Sequence, residues 1–224
     1  MRARLPILVA VLLAIATVLI GRHEQQRLSA QERPVVAALP AVPFLEAVAL
    51  GYREAAADLA WMQAVQYYGQ HRQGGNDLSE FGHYLAAVNT LDPHYEHAYV
   101  LGAVVLATDG GNLQAALEVL RRGARANPES GTCAFEMGFL TYVMGDDAEA
   151  ASRYFALAGQ DPRQAERAQR FQAFLARRLG RLETAYLLWK DLSLHTDNAS
   201  LRDVARESMR KIEIELRARG LEVP

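Results

Sequence analysis

Apolar and polar residues are distributed in two distinct ways along this chain. Near the start, Leu5 to Gly21 is an unbroken run without a charge. Beyond about Tyr52 the apolar residues come in short helical stretches, each ended by glycine or by an Asp/Asn-Pro pair. Nothing reads as strand-rich. The chain therefore predicts one apolar segment followed by an all-helical body.

The run of 17 residues would rise roughly 25 Å as a helix, near the lower limit for crossing a bilayer core. A cleaved signal peptide has a shorter apolar stretch with a small-x-small site just after it. Here Arg22-His-Glu-Gln-Gln-Arg27 follows directly, and the nearest such site, Leu28-Ser-Ala30, lies further on. Residues 1–22 thus read as an uncleaved transmembrane anchor, with a secreted soluble adaptor after cleavage as the alternative. Arg2 and Arg4 and the short tail before the span favour a cytoplasmic N-terminus and an extracytoplasmic body, although Arg22, Arg27 and Arg33 flank the other end. Ala10, Ala14, Thr17 and Gly21 form a stripe of small residues suited to close helix packing. The span holds no His or carboxylate, so nothing in it points to a pigment ligand or an ion path. Residues 23–43, with Pro34, Pro40 and Pro43, read as a partly extended linker.

The body shows a period. The prolines of Asp92-Pro93, Asn127-Pro128 and Asp161-Pro162 are 35 and 34 residues apart, and Asp197-Asn198 follows at the same interval without a proline. Asp or Asn before Pro suits a helix start, because the side chain caps free N–H groups and proline fits the first helical position. Each interval also breaks at glycine: Gly74-Gly75, Gly110-Gly111, Gly145 and Gly180. Asp77-Leu-Ser-Glu80 and Asp146-Asp-Ala-Glu149 have the spacing of capping boxes. Each unit is predicted to be helix, tight turn, helix. The units are 44–93, 94–128, 129–162 and 163–197, with a short leading helix over Phe44–Leu50. The last segment, 198–224, places Leu201, Val204, Ala205, Ser208, Ile212 and Leu216 on one face. It is predicted to be an amphipathic helix covering the final unit.

This pattern resembles the tetratricopeptide repeat (TPR). The clearest copy runs through Ala134, Met137-Gly138, Thr141, Gly145-Asp146, Ala150, Tyr154 and Pro162. Leu101-Gly102, Ala116, Leu120 and Pro128 form a second copy, Gly180 to Trp189 half of another, and Trp61 to Tyr68 a first-helix pattern. The resemblance implies an all-α, right-handed α-solenoid of about four helix pairs over residues 44–197, with a C-terminal capping helix and one N-terminal transmembrane helix. It also implies a protein-binding scaffold, a structural or assembly subunit of a membrane or envelope complex. In that family the first helix of each pair lines the concave face. With Gly138 set against its sister helix, the groove positions are Thr132, Phe135, Phe139 and Tyr142. Their counterparts are Met62 and Gln66, Glu96 and Tyr99, and Gln169 and Ala173. The alternative is that some of these aromatics are core. Some members grip a terminal carboxylate with Lys and Asn; this chain has only Lys190 and Lys211, with Phe135 and Phe139 at the corresponding places. That ligand class is not expected.

Composition narrows the reading. The formal charge of −2 argues against nucleic acid as the partner, and one cysteine in 224 residues leaves no intrachain disulfide and no multi-Cys metal site. Residues 44–162 carry 6 basic and 15 acidic residues, whereas 163–224 carry 13 basic and 9 acidic. This split reads as solvated helix faces with i,i+4 pairs such as Glu213 with Arg217, or as two docking faces allowing head-to-tail self-association. His94 and His97 lie one turn apart, which gives a metal- or cofactor-binding alternative, but a full site needs further ligands. Cys133 reads as a small core residue. No phosphate loop, paired carboxylate or Ser/His/Asp arrangement stands out, so neither catalysis nor a cofactor is expected.

Overall fold

A computed structural model describes residues 49–74 and 80–224. The anchor with Ala10, Ala14, Thr17 and Gly21, the linker, the leading helix up to Val48 and most of the first capping box lie outside these residues. The described residues are all-helical, with no strand. None of their helices is long and apolar enough to cross a membrane.

Nine helices are described: α1 Arg53–Gly74, α2 Phe81–Leu91, α3 Glu96–Thr108, α4 Leu113–Ala126, α5 Thr132–Met144, α6 Ala148–Ala158, α7 Pro162–Arg178, α8 Leu182–His195 and α9 Ala199–Ala218. Each packs on the next along the chain. Contacts also join α3 to α5 and α5 to α7, so alternate helices touch as well. The polar links repeat this spacing. Asn127 Nδ2 donates to the Pro93 carbonyl, 34 residues earlier, and Thr196 Oγ1 donates to Glu166, 30 residues earlier. Arg178 and Arg181 reach Asp146 and Glu149, each 32 residues back.

Local chemistry sets the helix ends. Asn112, Asp147, Asp161 and Asn198 each accept a backbone N–H of the first turn of α4, α6, α7 and α9. Two expectations change here. The α6 cap is Asp147, not Asp146; Asp146, rather than the preceding Gly145, takes the left-handed conformation (φ 48°) that glycine adopts most readily. Asp92-Pro93 and Asn127-Pro128 do not open α3 and α5. They seat hydrogen-bonded turns, Tyr95 N–H to Asp92 O and Ser130 N–H to Asn127 O, and the helices begin at Glu96 and Thr132. Proline's fixed φ suits the second position of such a turn as well as the first position of a helix. Only Asp161-Pro162 forms the expected cap-and-proline start.

Among the described residues, two hydrophobic clusters run through α3 to α9. The first joins α3 to α7 around Leu120, Phe135, Phe155 and Leu175, and the second joins α7 to α9 around Leu182, Trp189, Ile212 and Leu216. Helix α7 belongs to both, giving Ala168 and Leu175 to one and Ala173 and Ala176 to the other. Small residues set the spacing. A Cβ on Gly138 would lie 3.0 Å from the Phe155 ring, so α5 and α6 meet closely there. A Cβ on Gly131 would lie 2.5 Å from the Ala158 carbonyl oxygen, and the Gly131 N–H donates to the Asp161 carboxylate at 2.9 Å.

Candidate protein-binding cleft

Helices α5, α7, α8 and α9 enclose a cleft of about 380 Å³ lined by Tyr142, Arg170, Phe171, Phe174, Trp189, Val204 and Ser208. Helical spacing puts these groups together. Arg170, Phe171 and Phe174 share one face of α7, Phe139 and Tyr142 one face of α5, and Val204 and Ser208 one face of α9. Buried Trp189 and half-buried Phe171 form the floor. Phe174 and Val204 leave 48% and 49% of their surface open to solvent.

The aromatic side chains are coupled. Phe171 stacks on Phe155 at 4.9 Å and meets Phe135 and Phe139 edge-on at 5.5 and 6.2 Å. Tyr142 meets Phe174 edge-on at 5.9 Å, and the Arg178 guanidinium lies 5.3 Å from the Tyr142 ring centroid. These edge-to-face contacts follow from the charge distribution of aromatic rings and fix the orientation of the wall.

The positions read from the sequence fall in several places. Phe139 and Tyr142 lie on the open face, Phe139 being 37% exposed. Met62 and Gln66 are exposed on α1, away from this cleft's lining. Half-buried Glu96 lies on α3. Thr132 is half-buried, and its hydroxyl accepts from Ser130 Oγ and Gln164 Nε2. Four positions lie away from the open face. Phe135, Tyr99 and Ala173 are core side chains, packed between helices with no surface left for a partner. Gln169 faces α8 rather than the cleft, donating to the Leu188 carbonyl and to Asp191 at 2.7 Å.

The missed lining residues lie one position further along α7: Arg170 and Phe174 in place of Gln169 and Ala173. A spacing of 35 residues carries Phe135 and Phe139 onto Arg170 and Phe174, and a further 34 carries those onto Val204 and Ser208. The proline spacing gives 34 for the first step. Pro128 lies ahead of its helix whereas Pro162 lies inside its own, so the prolines do not mark equivalent helix positions. Val204 and Ser208, expected on the buried face of the last helix, line the cleft instead.

Several arginines of the rear segment link helices through carboxylates. Arg167 lies 3.8 Å from Glu136, Arg178 2.7 Å from Asp146 and Arg181 2.6 Å from Glu149, while Arg177 pairs with Glu215. Glu213 accepts from the Tyr186 hydroxyl at 3.2 Å rather than pairing with Arg217. Burial pushes the Glu136 carboxyl up from its ordinary value, against the pull of Arg167. The Asp161 carboxyl is lowered to about 2 by its bond to Arg163 and by the N–H groups of Gly131 and Arg163. Burial, then Glu96 and Glu136, pushes the Cys133 thiol up to about 12, away from nucleophilic chemistry. His94 Nδ1 lies 3.2 Å from Asn127 Oδ1, and among the described residues no three metal-ligating side chains come together.

A second cleft, about 640 Å³, lies where the ends of α4 and α6 meet the turn before α5, beside Arg125, Glu129, Gln160 and Asp161. Its lining is mixed, with Ala124, Pro128, Ala134 and Leu157 beside the polar groups, and Arg125 and Asp161 already have partners within the chain. No protein-family model matches the chain, and no curated protein matches it.

Proposed function

We propose that this chain is a membrane-anchored, TPR-like α-solenoid scaffold that binds a protein partner within a membrane or envelope complex. The observation that carries this reading is the aromatic cleft on the α5, α7 and α9 faces. Alternate helices in contact, and polar links recurring at 30–34 residues, support a repeating scaffold. Exposed rings in a concave apolar wall are the usual anchors for a partner segment, since they bury much area at small entropic cost. Tethering by Leu5–Gly21 would raise the local concentration of such a partner at the membrane.

A photo-crosslinking residue at Phe174 of the full-length chain, in native membranes, tests the reading. The expected result is a discrete protein adduct at Phe174 and none at Leu194, which is exposed on α8. Equal labelling at both positions, or none at Phe174, would overturn it. The intact mass of the mature chain tests the anchor: a loss of about 2–3 kDa would show cleavage instead.

A further inference from the structure

The arginines of α7 show what chemistry the cleft selects. Helix α7 carries Arg163, Arg167, Arg170, Arg177 and Arg178. Four of them face a carboxylate: Arg163 with Asp161, Arg167 with Glu136, Arg177 with Glu215 and Arg178 with Asp146. Arg170 faces none among the described residues. Its guanidinium lies 5.6 Å from the Phe171 ring centroid and lines the cleft. The other polar groups there are also able to donate. The Tyr142 hydroxyl interacts with Arg178, and Ser208 has no hydrogen-bond partner among the described residues. No carboxylate lines the cleft. A cationic donor against an apolar wall, without an internal carboxylate, is complementary to an incoming one. The apolar surface extends past the cleft to exposed Phe139 and Val143, more than a small organic acid would cover.

We infer that the cleft takes a peptide segment carrying an aromatic or branched aliphatic side chain and, within about one helical turn, an Asp or Glu that pairs with Arg170. The apolar side chain lies on Phe174, Tyr142 and Val204, and the carboxylate sets register and selects against basic segments. This inference rests on the cleft being the partner site.

Random 12-residue peptides displayed on phage are selected against the immobilised full-length protein. The expected winners combine an apolar residue with an acidic one and lose binding to Phe174→Ala. Arg170→Gln weakens them by about tenfold or more, as expected for loss of a charge-assisted hydrogen bond. Arg170→Glu turns the preference towards Lys and Arg. Arg170 is exposed and outside any ion pair, so both variants should melt with the wild type. Winners that need Phe174 but show no acidic preference, or that ignore Arg170→Gln, overturn the Arg170 inference and leave the cleft reading standing. No Phe174-dependent winner overturns both. Phenylacetate binding more tightly than every selected peptide would make the occupant a small acid and sink the peptide assignment.

Discussion

Truncating two phenylalanines on α5, one helical turn apart, should have very different consequences. Phe135 is 0% exposed, with Phe155 at 5.1 Å, Phe171 at 5.5 Å and the Arg167 guanidinium 3.6 Å from its ring centroid. Phe135→Ala removes the transfer free energy of a whole ring and leaves a cavity among rings that cannot collapse freely. Such losses run to about 3–5 kcal/mol. The two aromatic contacts and the cation–π contact place this one towards the upper end. Phe139 is 37% exposed and meets one ring, Phe171, at 6.2 Å. Removing it forfeits only a partial burial, about 1–2 kcal/mol. In a chain of this size that separates the two melting temperatures by about 4–15 °C. Urea and thermal unfolding of the full-length variants, followed by circular dichroism, measure the difference. Equal losses, or a Phe135→Ala melt within about 1 kcal/mol of wild type, would refute the placement of Phe135 in the core.

Other consequences are as direct. Gly131→Ala should destabilise by about 1–3 kcal/mol, because its new methyl group meets the Ala158 carbonyl oxygen. Gly69→Ala, in open space on α1, should stabilise by about 0.5–1 kcal/mol; the opposite order of melting temperatures would contradict the packing. Asp161 has a lowered folded pKa, so its contribution to stability is present above its ordinary value of 3.8 and is lost as pH falls towards about 2. Asp161→Asn should flatten stability against pH over that window, and an unchanged slope would exclude the assignment. Cys133 should resist Ellman's reagent at pH 8 until denaturant is added, whereas rapid native labelling would place the thiol at the surface. A double-mutant cycle on Arg178 and Asp146 should give a coupling of only about 0.2–1 kcal/mol, since both side chains are exposed.

The all-helical character was legible in the sequence because helix ends are local. A glycine, an Asn or an Asp followed by the right spacing acts within one turn of itself, as at Asp161 and Asn198. The role of Asp92-Pro93 and Asn127-Pro128 was not legible, since turn and helix start use the same dipeptide. Which face of a helix opens to solvent depends on partners distant in sequence. Phe135 and Phe139 look alike along the chain; only Phe155 and Arg167 distinguish them. Of the positions expected to line a groove, Tyr142 lies at the cleft and Phe139 is 37% exposed. On α7 an error of one residue exchanged Phe174 for Ala173, because one position turns a helix by about 100°.

Helix α7 contributes side chains to two clusters at once, and the cleft draws on both, with Phe171 packed against one and Trp189 within the other. Whatever lodges there would act as mortar between two courses of brickwork. Occupancy should therefore slow amide hydrogen exchange in α5 and α9 together, although neither helix belongs to the other's cluster.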